Sequence, residues 1–474
     1  MAASFPLRIA TLALVCAIAP ACAAGQSKDS TKAAQPLRHV IVVSVDGLRP
    51  ETYTNPDGLG LKVPTLRKLV AEGAWSPGAK SVFPTVTYPT HTTLATGTNP
   101  GTHGIFTNFA WDPLGENQEG WRWYAEDIRV PTLWDVAREK GLRTALLMWP
   151  ATVGARATAL IPEYWRAGNP EDTKLIRSIS TPGLTEAVMR RFPDFWKGFN
   201  PPRVEDVSTT SAAVHVIETQ RPHLLMVHIF DVDHWQHERG MGSAEAIAAI
   251  ENADAQIARI IAAAKKSGMW RSTALVIVSD HGFAPVEMRV RPGVLLRDND
   301  LVTLDSRNRI TDWKAVVLAG AGHAYIYVKD AADEATRKKL EEVFASRAGQ
   351  PGSGIGKVYR PAEIREMGGD PEAFLALEGA QGFGIASGYW GEYISPATVA
   401  ATHGFDPRRP DMQASLLVRG PGVVPGKIEG ARLLDVAPTV ARWLGLKLSR
   451  AEGRPLNLPA HRAAARTGLS VPHR

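Results

Sequence analysis

Four short aliphatic runs do most to limit how this chain can fold. "VIVVSV" (Val40 to Val45) runs into "DGLRP", "HLLMVHIF" (His223 to Phe230) into "DVDHWQH", "ALVIVS" (Ala274 to Ser279) into "DHG", and "ASLLVRG" (Ala414 to Gly420) into a glycine-proline turn. Runs of this length without regular polar alternation suit strands buried on both faces. Between them the spacing predicts helices at Pro64 to Gly73, Thr132 to Gly141 and Ser243 to Gly268, the last with Ala246, Ile250, Ala253, Ile257 and Ile260 along one face. Alternating strands and helices predict an α/β fold: a mostly parallel central sheet with helices on both faces. In such sheets ligands gather beyond the carboxyl ends of the strands. Asp46, the "DVDHWQH" segment and "SDHG" are therefore expected at one edge.

The rhythm breaks between residues 284 and 400, where Gly-rich pieces ("GQPGSGIG", "EMGGDPE") surround a strand-like "HAYIYV". This stretch reads as an inserted, smaller α+β lobe. The chain is thus divided into a signal peptide (1–24), a flexible linker (25–38), the first part of a catalytic core (39–283), the lobe (284–400), the closing part of the core (401–458), which ends in the helix "DVAPTVARWLGL", and a flexible tail (459–474).

The signal peptide is read from Arg8, the apolar run Ile9 to Ala19 and the small residues "ACAAG", with cleavage near Ala23 or Ala24. The run is too short to span a bilayer. The expected location is periplasmic or secreted. Cys22 stands where a lipoprotein cysteine would, although "APAC" matches that pattern poorly. Cys16 and Cys22 both lie in this segment, so the mature chain has no disulfide, and cysteine is excluded as a metal ligand. The 474 residues are 44% hydrophobic, enough for a large core, and the net charge of +6 is spread along the chain without a basic helix. Specific nucleic-acid binding is not expected, and attraction of small anionic substrates is.

"VFPTVTYPTHTTLATG" (Val82 to Gly97) carries Thr85, Thr87, Thr90, Thr92 and Thr93. Threonines crowd turns and helix starts because their oxygens satisfy free backbone N–H groups. One of them could instead be a nucleophile, which requires an activating base or metal. Groups that suit hydrolytic metals occur in four places: Asp46 at a strand end, Asp233 and His237 four residues apart, Asp280 and His281 after a strand, and His403 in a "THG" turn. Each alone is an ordinary cap, surface pair or turn. Together, three Asp and three His suffice for two metals about 4 Å apart. Asp231 and His234 offer an alternative register for the same turn, His228 reads as a strand-core histidine, and His323 reads as structural. Trp121, Trp123, Tyr164 and Trp165 read as core.

On "VSVDGLRP", "VFPTVTYPTHTTLATGTNPGTHGI", "DVDHWQHERG", "SDHGF" and "THGFDP", in that order, the chain resembles the nucleotide pyrophosphatase/phosphodiesterase family of the alkaline phosphatase superfamily. The resemblance implies an alkaline-phosphatase-like fold and two zinc ions, other divalent metals also suiting the ligands. It implies that Thr87 is the nucleophile, that Asp46, Asp280 and His281 hold one zinc, which Thr87 touches, and that Asp233, His237 and His403 hold the other. Asn108 in "IFTNF" matches the asparagine that binds a phosphate oxygen, and Tyr88 stands where it could stack a flat substrate group. The implied reaction is hydrolysis of a phosphodiester or pyrophosphate bond in a small phosphate ester or nucleotide, through a phosphothreonine. Two departures touch the pocket: Thr90 in "YPTH" replaces an asparagine, and Gln236 replaces the glycine before the ligand histidine. Phosphate monoester hydrolysis, for which Arg156 could supply the extra positive charge, and phosphonate hydrolysis would use the same ligands. A non-catalytic binding protein would be expected to lack a ligand or the nucleophile, and none is missing.

Overall fold

Alternate side chains of the buried strands serve two different cores. In the strand His39–Val45, Ile41, Val43 and Val45 face one hydrophobic cluster and Val40 and Val42 face another. The same division runs through Leu224–Ile229 and Thr273–Val278, which explains why these runs are apolar without alternation. The computed structural model describes residues 37–110, 112–114, 120–164, 171–200 and 203–459. The expectations for the signal peptide with Cys16 and Cys22, for nearly all of the linker and the tail, and for Trp165 lie outside the described residues.

The central sheet has eight strands in the order Gly426–Lys427, Ala74–Trp75, Leu416–Arg419, Thr273–Val278, His39–Val45, Leu224–Ile229, Thr144–Leu147, Ala159–Ile161. The last five are mutually parallel. Leu416–Arg419 runs antiparallel to both of its neighbours. One face is covered by helices that include Asp206–Gln220 and Ala244–Lys266, and the other by helices that include Thr87–Thr96, Leu133–Glu139 and Val436–Trp443. Helix starts follow their capping residues: Thr132 accepts from the Asp135 amide while Asp135 accepts from the Thr132 amide, and Ser243 accepts from the Ala246 amide.

After His281 the chain leaves this sheet and builds two four-stranded sheets, besides the short pair Val302–Leu304 and Ile310–Trp313. Ala315–Gly320, His323–Val328, Leu375–Gly379 and Ile355–Tyr359 form an antiparallel sheet backed by the helix Glu334–Ala345. Ala284–Val290 forms the other with Gly382–Ile385, Ile394–Pro396 and Ala401–Thr402. The first and last residues of the excursion pair with each other, Ala401 opposite Pro285 and Thr402 opposite Ala284. Phe83, just before the threonine-rich helix, packs in one cluster with Tyr325, Tyr359 and Ile364 of the excursion.

Candidate metal centre and nucleophile

Three strand ends and one returning turn deliver the six predicted ligands to one place. Asp46 follows His39–Val45, Asp280 and His281 follow Thr273–Val278, and the helix Asp231–Arg239, which begins just beyond Leu224–Ile229, carries Asp233 and His237. His403 arrives directly after the paired Ala401–Thr402. The start of the Asp233 helix is held by Asp206, whose Oδ1 accepts from the amides of Phe230 (2.9 Å) and Asp231 (3.1 Å). Asp231 accepts in turn from the Asp206 amide, so it serves the backbone, not the ligand cluster.

Ligand atoms of Asp233, His237 and His403 lie within 4.8 Å of one another, as do those of Asp46, Asp233 and His281. Asp233 therefore stands between the two groups. Asp280 joins through Oδ2, 3.1 Å from His281 Nε2, while its Oδ1 accepts from the Gly47 amide at 3.1 Å. Gly47 has φ +65°, and a Cβ there would lie 2.6 Å from the Phe283 ring, so only glycine permits this approach. All three histidines are oriented alike. Nδ1 of His237 donates to the Ala401 carbonyl (2.8 Å), Nδ1 of His281 to Gly282 (3.1 Å) and Nδ1 of His403 to Thr85 (2.9 Å). Each Nε2 is thereby left as the nitrogen with a lone pair, the arrangement in which histidine ligates metals. The rings of His281 and His403 stack 3.6 Å apart at an interplanar angle of 9°.

The donor set fits divalent cations. Asp46 Oδ1, Asp233 Oδ1, Asp280 Oδ2 and His281 Nε2 are buried atoms without a hydrogen bond among the described residues. Buried polar atoms left unpaired are costly, and four in one cluster of Asp and His point to a missing positive partner. Without a metal the cluster holds protons instead: burial opposes a charge on His281, but Asp280, Asp46 and Asp233 raise it to about 9. Burial, with the charges of Asp280 and Asp233, pushes the Asp46 carboxyl well above the usual carboxylate range. Burial also opposes an ionised Asp280, but the adjacent His281 outweighs it and holds this carboxyl below its ordinary value. Burial and the neighbouring His281 and His237 hold His403 well below the usual histidine value.

Thr87 opens the helix Thr87–Thr96, whose N-cap, Val86, supplies no side-chain acceptor. The other threonine hydroxyls of this stretch are committed to structure: Thr85 to the Phe405 carbonyl, Thr90 to Ser81, Thr92 to the Tyr88 carbonyl, Thr93 to the Thr98 carbonyl and Thr96 to the Thr92 carbonyl. Those five are at most 1% exposed and Thr87 is 7% exposed. Asn108 lies beside it, its Oδ1 accepting from the Tyr88 amide at 2.9 Å. The expectation for Tyr88 itself is corrected: the ring is fully buried against Trp121 and its hydroxyl donates to Glu163 at 2.8 Å, so it has no face for a substrate group. The first-turn geometry turns this residue away from Thr87 and into the core. The exposed aromatic next to Asn108 is Phe109, whose ring meets Trp121 edge-on.

Sequence reasoning missed several neighbours. His228, read as a core histidine, bonds Asp46 Oδ2 at 3.0 Å and Glu163 Oε2 at 2.9 Å. Burial opposes a charge on it, but these carboxylates hold its proton affinity well above the usual histidine range. His91 donates from Nδ1 to the Thr87 carbonyl (2.8 Å) and lies 3.7 Å from Asp280. Gln236, in place of the family's glycine, donates to the Gly47 carbonyl at 2.9 Å. His323 is buried against Phe83 and Tyr325 and belongs to neither ligand group, and Arg156 is exposed on the loop between Thr144–Leu147 and Ala159–Ile161.

Residues 40–406 match the sequence family described as type I phosphodiesterase/nucleotide pyrophosphatase. The chain is 24% identical over 252 residues to human ectonucleotide pyrophosphatase/phosphodiesterase family member 1, covering 51% of this chain but 23% of that protein. A pyrophosphatase/phosphodiesterase of Schizosaccharomyces pombe, itself uncharacterized, is 27% identical over 280 residues, 56% of this chain and 47% of that protein. Venom phosphodiesterase 2 of Crotalus adamanteus is 24% identical over 259 residues, 52% and 27% respectively. Among solved structures, an inactive variant of murine ectonucleotide pyrophosphatase/phosphodiesterase 5 in complex with AMP superposes with a TM-score of 0.62 at 20% identity, over 88% of this chain and 97% of that one. Its fold is the alkaline-phosphatase-like arrangement described above.

Proposed function

The chain belongs to the type I phosphodiesterase/nucleotide pyrophosphatase family, and on that premise we propose that it is an exported, metal-dependent hydrolase of phosphodiester or pyrophosphate bonds that works through a phosphothreonine at Thr87. The observation that carries this reading is the convergence of unpaired buried oxygens and nitrogens from Asp46, Asp233, Asp280 and His281 beside the helix that Thr87 opens. Two zinc ions, one on Asp46, Asp280 and His281 and one on Asp233, His237 and His403, would lower the pKa of the Thr87 hydroxyl and neutralise the charge that develops on the leaving oxygen.

The chain's own groups supply the rest. Thr87 Oγ1 forms the new bond to phosphorus as the ester oxygen departs, and water then cleaves the Thr87–phosphate bond. Because Asn108 Oδ1 is occupied by the Tyr88 amide, its Nδ2 is left to donate to a non-bridging phosphate oxygen. In the first turn of the helix Thr87–Thr96 the Tyr88 amide is taken by Asn108, Pro89 has none and Thr90 donates to the Val86 carbonyl, so the Thr87 amide is the one that can favour the same negative charge. The exposed Phe109 ring, braced edge-on by Trp121, offers an apolar face for the group attached to phosphorus, and a nucleoside is the proposed occupant, consistent with the AMP complex of the murine protein. Export rests on the signal-like segment from Arg8 to Ala24. Among the described residues no helix is long and apolar enough to cross a membrane.

The deciding experiment compares hydrolysis of p-nitrophenyl phosphate with that of the p-nitrophenyl diester of thymidine 5′-phosphate by the mature protein supplied with zinc. Much faster diester cleavage is expected. A monoester preference would recast the protein as a phosphatase, and inactivity on both, with two zinc ions bound, would refute hydrolysis of these esters.

A further inference from the structure

A sealed line of four side chains joins the neighbour of Thr87 to Asp46. The Tyr88 hydroxyl donates to Glu163 Oε1 at 2.8 Å, Glu163 Oε2 faces His228 Nδ1 at 2.9 Å, and His228 Nε2 faces Asp46 Oδ2 at 3.0 Å. Tyr88, Glu163, His228 and Asp46 are at most 3% exposed and come from four separate segments. His228 stands opposite Ser44 in the parallel pairing of the two central strands, which aims its ring at the end of the neighbouring strand. Asp46 thus has two unlike oxygens: Oδ2 is taken by His228, and Oδ1, without a hydrogen bond among the described residues, faces His281 Nε2 at 3.3 Å.

Resting on the two-metal reading above, we propose that His228, braced by Glu163, is a positioning residue that fixes Asp46 so that only Oδ1 is presented to a metal. Groups that orient a metal's ligands contribute about 10- to 100-fold to its affinity. The same line reaches Tyr88, whose amide holds the Asn108 side chain at 2.9 Å, so the metal ligand and the phosphate-binding amide share one brace. A histidine kept only to fill the core would need neither carboxylate, and burying two carboxylates costs more than an apolar packing of equal volume.

The test measures zinc affinity by competition with a chromogenic chelator, together with kcat and KM for the thymidine diester, in wild type, His228→Leu, His228→Gln and Glu163→Gln. His228→Leu is expected to weaken one of the two zinc ions by about 10- to 100-fold and to lower kcat while KM stays within about twofold. Glu163→Gln, which keeps an acceptor for Tyr88 and a partner for His228, is expected to stay within about threefold of wild type in zinc affinity. Wild-type zinc affinity in a folded His228→Leu protein would overturn the proposal. His228→Gln, which can still donate to Asp46, is expected to keep zinc affinity nearer wild type; if His228→Leu does not fold, His228→Val, which suits a strand and cannot reach Asp46, takes its place, and unchanged zinc affinity there would overturn the proposal equally. Wild-type protein titrated alongside separates the two readings. Absence of bound zinc in wild type refutes the metal-dependent function, whereas two zinc ions in wild type and unaltered affinity in the variant refute only the positioning role.

Discussion

The two proposed metal pockets are built from the same residue types and differ in where those residues are anchored. The side chains of Asp46, Asp280 and His281 are 0–4% exposed and sit at the ends of two adjacent central strands. Asp233 and His237 are 19% and 23% exposed on a single short helix, and His403 joins them only after the chain has returned from the two smaller sheets. The inner pocket inherits the rigidity of the sheet, and the outer pocket depends on a helix and a turn that each can shift. Rigidity suits the metal that must hold a nucleophile in place, and accessibility suits the metal that must meet a departing group.

The largest expected effect falls on Thr87, the proposed nucleophile. Thr87→Ala should lower diester hydrolysis on the order of 10⁴-fold or more while bound zinc stays near two per chain. Substantial activity in that variant would remove Thr87 from the mechanism. Next in size is a difference in stability between the pockets without metal. Asp280→Ala leaves the Gly47 amide unpaired in the interior and should cost about 1–3 kcal/mol in a urea titration of metal-free protein. His237→Ala, at a partly exposed site, should cost less than about 1 kcal/mol in the same titration. Equal costs would erase the distinction between a sheet-anchored and a helix-anchored pocket.

Chelation addresses the same contrast kinetically. Excess chelator should strip zinc in two phases, the outer ion about tenfold or more faster, because local opening of exposed segments is easier than opening of the sheet. A single phase that removes both ions together would break the comparison. A further effect lies outside both pockets and sets the background for them. Burial lowers His103 to about 3 and His323 to about 4. Their folded values lie below the unfolded value, so between about pH 6.5 and those values the unfolded chain binds the extra protons. Metal-free stability should therefore fall as the pH drops below about 6.5, each histidine adding up to about 1.4 kcal/mol per pH unit. His103→Gln should flatten that slope in urea titrations at successive pH values, and an unchanged slope would show that His103 is not buried as a neutral group.

The strands were legible because runs such as Val40 to Val45 suit strands buried on both faces of a sheet, and their ends point to Asp46, Asp280 and His281. The direction of Leu416–Arg419 was not legible, since an apolar run looks the same whichever way it pairs. Tyr88 was misread because which side of a first helical turn faces the substrate depends on what packs behind it, here Trp121 and Glu163. His228 and Glu163 carried no local signal: one is a lone histidine in an apolar strand, the other lies far from it in sequence, and only the fold brings them within hydrogen-bond distance. Gln236 was noticed as a departure, yet its bond to the Gly47 carbonyl had no counterpart in the sequence.

The pairing of Ala284 and Pro285 with Thr402 and Ala401 closes the excursion at its neck, immediately after His281 and immediately before His403. The two histidines that stack there are held by the neck and also from beyond it, where Tyr359 and Glu378 bond Asp406 and Phe83 packs against Tyr325. A change in the segment that spares the neck and the Phe83 contact should therefore disturb the two proposed pockets least.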